Sequence, residues 1–246
     1  MKILSIGNSF SDDAHRYFAR FAKAAGTPIE THDLVIGGCP LVKHWNNFVS
    51  DAKDYSYQVN GEYTSEKKSI SDLLKQGGWD YITIQQVSHD AGKPETFEPY
   101  LENLVIAIRA MCPDAKLAFQ ETWEYEYCST HGGFPYYESS CEKMYQCVKS
   151  ACRAAAQKYD LILIPSGEVI HEAKKLPEFD SEHGGQSLYR DGFHMHLVYG
   201  RYLLACVWYK TLLKKSPVGC DFDEFDGEVN KDLLPLLQRA ANDYRG

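Results

Sequence analysis

No stretch of this 246-residue chain approaches 18 consecutive apolar residues, so no membrane-spanning helix is expected. The opening MKILSIGNSF carries one lysine and an apolar stretch too short for a signal-peptide core. The chain as given therefore reads as cytoplasmic, although an exported protein whose leader had been removed would read the same. Cysteine is sparse: eight in 246 residues, about 3 %, against the roughly 8–10 % of disulfide scaffolds. No CxxC pair opens a zinc or redox motif, and the thiols read as free and buried or half-buried. Basic runs do not exceed pairs (Lys67-Lys68, Lys174-Lys175, Lys214-Lys215), and 26 Lys+Arg against 34 Asp+Glu give a net charge of -8. Such a chain repels polyanions, so neither nucleic acid nor membrane is an expected partner. Neither GxGxxG nor GxxxxGK[ST] occurs, which deprives a nucleotide- or flavin-binding reading of its phosphate cradle.

What is present is an ordinary globular composition, 44 % hydrophobic and 24 % charged, with short apolar runs alternating with amphipathic stretches. The apolar runs predict strands at Lys2–Ile6, Ile29–Ile36, Tyr81–Gln86, Lys116–Gln120 and Leu161–Ile164. Helical spacing runs through Ala14–Ala25, Phe97–Met111, about Glu138–Tyr159 and Leu197–Leu213. This alternation predicts an α/β fold, a three-layer α/β/α sandwich of flavodoxin-like form with about five parallel strands. It forms one domain over residues 1–246, with rim insertions at about 43–68 and 123–137. Asn60-Gly61 in the first insertion predicts a hairpin closed by a type I′ turn. The second insertion concentrates an aromatic excess, with Trp123, Tyr125, Tyr127, Phe134, Tyr136 and Tyr137 within fifteen residues.

Ser9 follows the first strand, in Gly7-Asn8-Ser9, with a helix expected to start near Ser11–Asp13. Ligands of open α/β sheets collect beyond the carboxyl ends of the strands, which makes Ser9 a candidate nucleophile; a turn with Ser9 as a cap is the plainer reading. A serine needs a base, and the base needs an orienting group. Asp191 and His194, three apart before an apolar helix, can supply both. His183, Asp191, His194 and His196 could alternatively be read as metal ligands, but their spacing follows no zinc pattern and no metal or other cofactor is expected.

Four segments together resemble the conserved blocks of SGNH (GDSL-like) hydrolases: Gly7-Asn8-Ser9-Phe10, Gly37-Gly38-Cys39, Ile84 to His89, and Asp191 to His194. Further stretches, WDYITIQQ, ETW, IPSGEVI and GRYLLA, extend the likeness over about residues 2–209, to an esterase-like branch related to carbohydrate and sialate O-acetylesterases. The resemblance implies a cofactor-independent esterase in which Ser9 is the nucleophile, His194 the base and acid, and Asp191 its orienting partner. It also implies an oxyanion hole from the Ser9 and Gly38 backbones. Where typical members carry Asn in a GxND motif, this chain has His89 in register; Gln86 at the strand end is the preferred donor, with His89 the alternative.

Trp45 and Trp123 are the expected substrate contacts, since aromatic faces suit a sugar ring or an acyl pocket. With the sialate-type likeness they point to a small acyl group, acetyl first, on a carbohydrate. A hydrolase of longer acyl chains or thioesters, or a catalytically silent glycan binder, would use the same fold. The negative charge disfavours strongly anionic substrates unless Arg190 overrides it locally.

Overall fold

The computed structural model describes residues 1–245 as an α/β fold. In chain order its elements are β1 (Lys2–Gly7), α1 (Ser9–Ala24), β2 (Glu30–Val35), α2 (Leu41–Val49), β3 (Tyr55–Val59), β4 (Glu62–Lys68), α3 (Ile70–Gln76) and β5 (Tyr81–Ile84). Then follow α4 (Tyr100–Met111), β6 (Lys116–Gln120), α5 (Cys141–Lys158), β7 (Ile162–Ile164), α6 (Ser166–Ala173), α7 (Tyr199–Leu213) and α8 (Leu234–Asp243). The strands form one seven-stranded sheet in the order β4-β3-β2-β1-β5-β6-β7. Five of them, β2-β1-β5-β6-β7, are parallel, as the apolar runs predict; β3 and β4 add an antiparallel pair beside β2.

The sheet is therefore wider than the sequence suggests. Residues 43–68 are not simply a rim excursion: they hold most of α2 and the hairpin, which continues the sheet. The hairpin turns at Asn60 and Gly61, both at positive φ (53° and 80°), as a type I′ turn requires. Gly61 lies so close to α1 that a Cβ there would sit 2.6 Å from the His15 carbonyl oxygen. The second insertion is mostly irregular, with one short 3-10 turn at Phe134–Tyr137.

Helices α1 and α7 pack together, with α8 against α7; α2, α3 and α4 contact one another, and α5 lies on β6 and β7. α7 buries residues all round its axis, which is why its sequence is apolar without a polar stripe. Its Tyr202, Tyr209 and Trp208 meet Phe18 and Phe21 of α1 edge-on at ring separations of 5.3–5.6 Å. All eight cysteines are free thiols; Cys128 departs from the expected burial and is exposed. Among the described residues no helix is long and apolar enough to cross a membrane.

The core also holds ionisable groups. His15, fully buried, bonds Ser5 Oγ at 2.6 Å, and burial lowers its pKa from 6.5 to about 3; His44 is lowered to about 3 for the same reason. A histidine held neutral in the fold binds protons more weakly there than in the unfolded chain. Its contribution to stability is complete above about pH 6.5 and is lost as pH falls toward about 3. Buried Asp33 and Glu121, raised by desolvation, act with the opposite sign. The expected result is that His15→Gln flattens the acid limb of a melting-temperature profile relative to wild type. Parallel profiles between pH 7 and 4 would remove His15 as a contributor.

Candidate active site

β1 ends at Gly7, where a Cβ would lie 2.2 Å from Ser11 Oγ, so only glycine lets α1 start this close to the strand. Asn8 caps α1, accepting from the Phe10 N–H at 3.0 Å, and the helix begins at Ser9 rather than near Ser11–Asp13. Ser9 thus occupies the first helical position, half-buried, where backbone N–H groups lack partners within the helix. β1 lies between β2 and β5, the point at which the parallel order reverses, so the Ser9 side chain stands in the crevice where open sheets bind ligands.

His194 Nε2 is 2.9 Å from Ser9 Oγ, and His194 Nδ1 is 2.7 Å from Asp191 Oδ2. The other carboxylate oxygen, Oδ1, accepts from the His194 N–H at 2.8 Å and the Phe193 N–H at 3.3 Å, locking the loop into a side-chain-capped turn. Burial alone would raise the Asp191 carboxyl. Its bonds to the His194 ring and to the two N–H groups more than offset this and hold it below the usual carboxylate range. A charged carboxylate at Nδ1 places the proton there and leaves Nε2 as an acceptor for the Ser9 hydroxyl.

The loop bearing Asp191 and His194 is anchored from α1. Fully buried Asp13 accepts from Arg190 Nη1 at 2.8 Å and Arg201 Nε at 2.9 Å on one oxygen, and from the Met195 N–H at 3.0 Å on the other. Residues 190 and 195 flank the loop, and an isolated Tyr189–Met195 bridge closes it. Arg190 is thereby paired with Asp13, so its positive charge is offset by a buried carboxylate rather than left free as its sequence position suggests. From the second insertion, Glu126 N–H donates to the Gly192 carbonyl at 2.8 Å and Trp123 Nε1 to the Phe193 carbonyl at 2.8 Å.

Trp123 is fully buried, stacked on Phe10 at 4.1 Å with an interplanar angle of 6°. It supports the site from beneath and has no face for a substrate. Trp45, half-buried on α2 and stacked on Phe48, does not line the cleft at Ser9. Of the second insertion's aromatics, Tyr125, Phe134 and Tyr137 are also core, while Tyr127 and Tyr136 are exposed.

Gly38 sits at the third position of a turn closed by Cys39 N–H to the Ile36 carbonyl, at φ 62°, a conformation that favours glycine. Asn8 Nδ2 bonds the Cys39 carbonyl at 3.1 Å, tying this turn to the Ser9 loop. Gln86 is engaged elsewhere: its Oε1 accepts from the Leu41 and Val87 N–H groups and its Nε2 faces Thr96. β5 ends at Ile84, two residues short of the expected Gln86, and it is Gln85 that turns toward the Ser9 loop, donating to Asn8 Oδ1 at 2.6 Å. His89 stacks on His131, whose ring in turn meets Phe193 at 4.8 Å. His196 accepts from the Val198 and Tyr199 N–H groups before α7, and His183 bonds Asp180. Among the described residues no group of three or more His, Cys, Asp or Glu is placed to hold a metal ion. The sequence offers Asp13 only as a helix cap and assigns no individual role to Asn8 or Gln85; membership of the quoted blocks is the available signal for the last two.

Residues 2–232 match the family described as "Domain of unknown function (DUF4886)". Nothing among curated proteins matches. The crystal structure of a DUF4886 family protein from Bacteroides uniformis is similar at 31 % identity and TM-score 0.90, over 99 % of this chain and 93 % of that one. A candidate SGNH hydrolase from Slackia heliotrinireducens is 20 % identical, with TM-score 0.58 over 86 % and 98 % of the two chains. An acetylxylan esterase from Geobacillus stearothermophilus is 13 % identical, with TM-score 0.56 over 86 % and 93 %. At these identities the last two report the fold, which is that of SGNH hydrolases.

Proposed function

The chain belongs to the DUF4886 family, and from that premise and the geometry at Ser9 we propose that it is a serine esterase of small acyl esters, acetyl first, carried on a carbohydrate. The observation that carries the reading is the continuous chain Ser9 Oγ, His194 Nε2, His194 Nδ1, Asp191 Oδ2, with contacts of 2.9 and 2.7 Å, at the sheet's switch point. Similarity of fold to an acetylxylan esterase supports the acyl group and the kind of alcohol.

In the first step His194 Nε2 takes the Ser9 proton while Oγ bonds to the ester carbonyl carbon. The oxyanion forms at the amino end of α1, where the Ser9 N–H and the Gly38 N–H are the proposed donors and the helix dipole favours negative charge. The carbon–oxygen bond to the alcohol then breaks, and the imidazolium returns its proton to the departing oxygen. Water, deprotonated by the same ring, attacks the acyl carbon; the bond to Ser9 Oγ breaks, the ring returns the proton to Oγ, and the acid leaves. Asp191 stays ionised throughout and stabilises the imidazolium.

A fluorophosphonate probe is expected to label the wild-type protein at Ser9, with labelling absent from Ser9→Ala and from heat-unfolded protein. Mass-spectrometric mapping to another residue, or no labelling at all, would point instead to a glycan binder that retains the shape of the site without its chemistry.

A further inference from the structure

Beside Ser9 lies a cleft of about 320 Å³ whose outer wall is the β3–β4 hairpin. Its polar lining is Asp12 from the first turn of α1 and Asp54, Ser56, Tyr63 and Lys67 from the hairpin and its approach, over a floor that includes Val35 and Ile36. Lys67 Nζ donates to Ser56 Oγ at 2.9 Å and to the Asp54 carbonyl at 3.3 Å, which leaves a third N–H for a ligand. Asp12 Oδ1 accepts from Gln58 at 2.6 Å. Tyr63 is 55 % exposed, yet burial of its phenol end beside Asp12 and Gln58 raises its pKa, so the ring is held at one end and open at the other.

Such a lining is wrong for an acyl chain, which would strip water from two carboxylates and an ammonium and return no hydrogen bonds. A polyol returns them: hydroxyls donate to carboxylates and accept from Lys67. The volume lies at the small end of the range of about 300–1,000 Å³ for ligand pockets, enough for one ring. Two carboxylates against one ammonium also leave the cleft with a net negative charge within a Debye length of the reacting carbonyl, which disfavours an anionic sugar.

We propose that this cleft is the subsite for the alcohol part of the ester, and that it takes a single neutral sugar ring, stacked on Tyr63 and hydrogen-bonded by Lys67 and Asp12. The proposal rests on the esterase reading and adds to it which residues select the substrate. The hairpin, rather than the tryptophans singled out by sequence, then supplies the aromatic contact.

The test compares kcat/KM on mono-O-acetylated methyl xylopyranosides and glucopyranosides with kcat/KM on ethyl acetate, which has no ring to stack. Wild type is expected to prefer an acetylated glycoside. In Tyr63→Ala the ratio of the two values should fall by about ten-fold, the loss of one stacked face. In Lys67→Met it should fall by roughly three- to ten-fold, the loss of a charge-assisted hydrogen bond. Free methyl glycoside should inhibit competitively, and the corresponding methyl uronate should not. A wild type with no preference for any acetylated glycoside, or variants that leave the ratio unchanged, overturn the subsite. Should ethyl acetate hydrolysis depend on Ser9 while the ratio stays fixed, the subsite alone falls. Should ethyl acetate not be hydrolysed, or Ser9→Ala hydrolyse it as fast as wild type, the esterase reading falls and takes the subsite with it. Circular dichroism melting of each variant separates these outcomes from misfolding.

Discussion

Ser9→Ala is expected to lower kcat on small acetyl esters by roughly 10⁴–10⁶-fold, because Ser9 is the hydroxyl hydrogen-bonded to His194 Nε2 and the acyl intermediate would form on it. Stability should change by no more than about 0.5 kcal/mol, since alanine suits the first helical position and the lost hydroxyl is only half-buried. His194→Ala should cost about as much, and the double variant should be little worse than either single one. Residues that act as one unit lose the whole pathway when any of them is removed. Single-turnover and steady-state rates on p-nitrophenyl acetate test this. Retention of more than roughly one-hundredth of the wild-type rate in Ser9→Ala, after exclusion of background hydrolysis, would place the nucleophile elsewhere.

The second large effect is expected at Asp13, which touches no substrate. Its carboxylate is fully buried and faces Arg190, Arg201 and the Met195 N–H. Removing one partner of a buried charge network leaves the others uncompensated, so Asp13→Ala should lose about 3–5 kcal/mol in urea unfolding. Asp13 is proposed as a positioning residue as well, because the two ends of the Asp191–His194 loop hang from it. At a temperature where the variant is folded, kcat should fall by about ten- to a hundred-fold while KM changes little, and fluorophosphonate labelling should slow in step. Asp13→Asn, which keeps one acceptor, should lie between. A destabilised variant whose folded fraction turns over at the wild-type rate would leave Asp13 a purely structural role.

What the sequence made legible follows from which signals are local. The parallel strands other than β2, which buries Thr31, His32 and Asp33, show as apolar runs because both their faces are covered, and the hairpin shows because Asn60-Gly61 has one common use. The width of the sheet did not show: β4 is Glu62–Lys68, mostly exposed, and an edge strand with charged side chains carries little periodic apolar signal. The start of α1 was placed too late because Ser9, Ser11 and Asp12 read as turn residues until their hydrogen bonds are known. Ser9, Asp191 and His194 could be selected as a set from their residue types and the quoted blocks, and the fold brings them within hydrogen-bonding distance. Gln86 is preferred to His89 as oxyanion donor for its expected place at the strand end, but β5 stops at Ile84 and the Gln86 amide is taken up by Leu41, Val87 and Thr96, contacts that no local signal announces. The tryptophans were drawn to the surface by residue type alone. Nothing local says that Trp123 finds Phe10, 113 positions away, and fills the space under the site.

Ser9 and Asp13 are separated by one turn of a single helix, about 6 Å of rise. The hydroxyl and one anchor of its imidazole partner therefore share one rigid body, linked through Arg190 and Met195, while Trp123 and Glu126 hold the same loop from the segment after β6. Positional errors in a chain of parts accumulate with the number of joints, and the route through Asp13 is a short one. One residue inserted between Ser9 and Asp13 would turn the anchor about 100° away from its arginines and uncouple nucleophile from base.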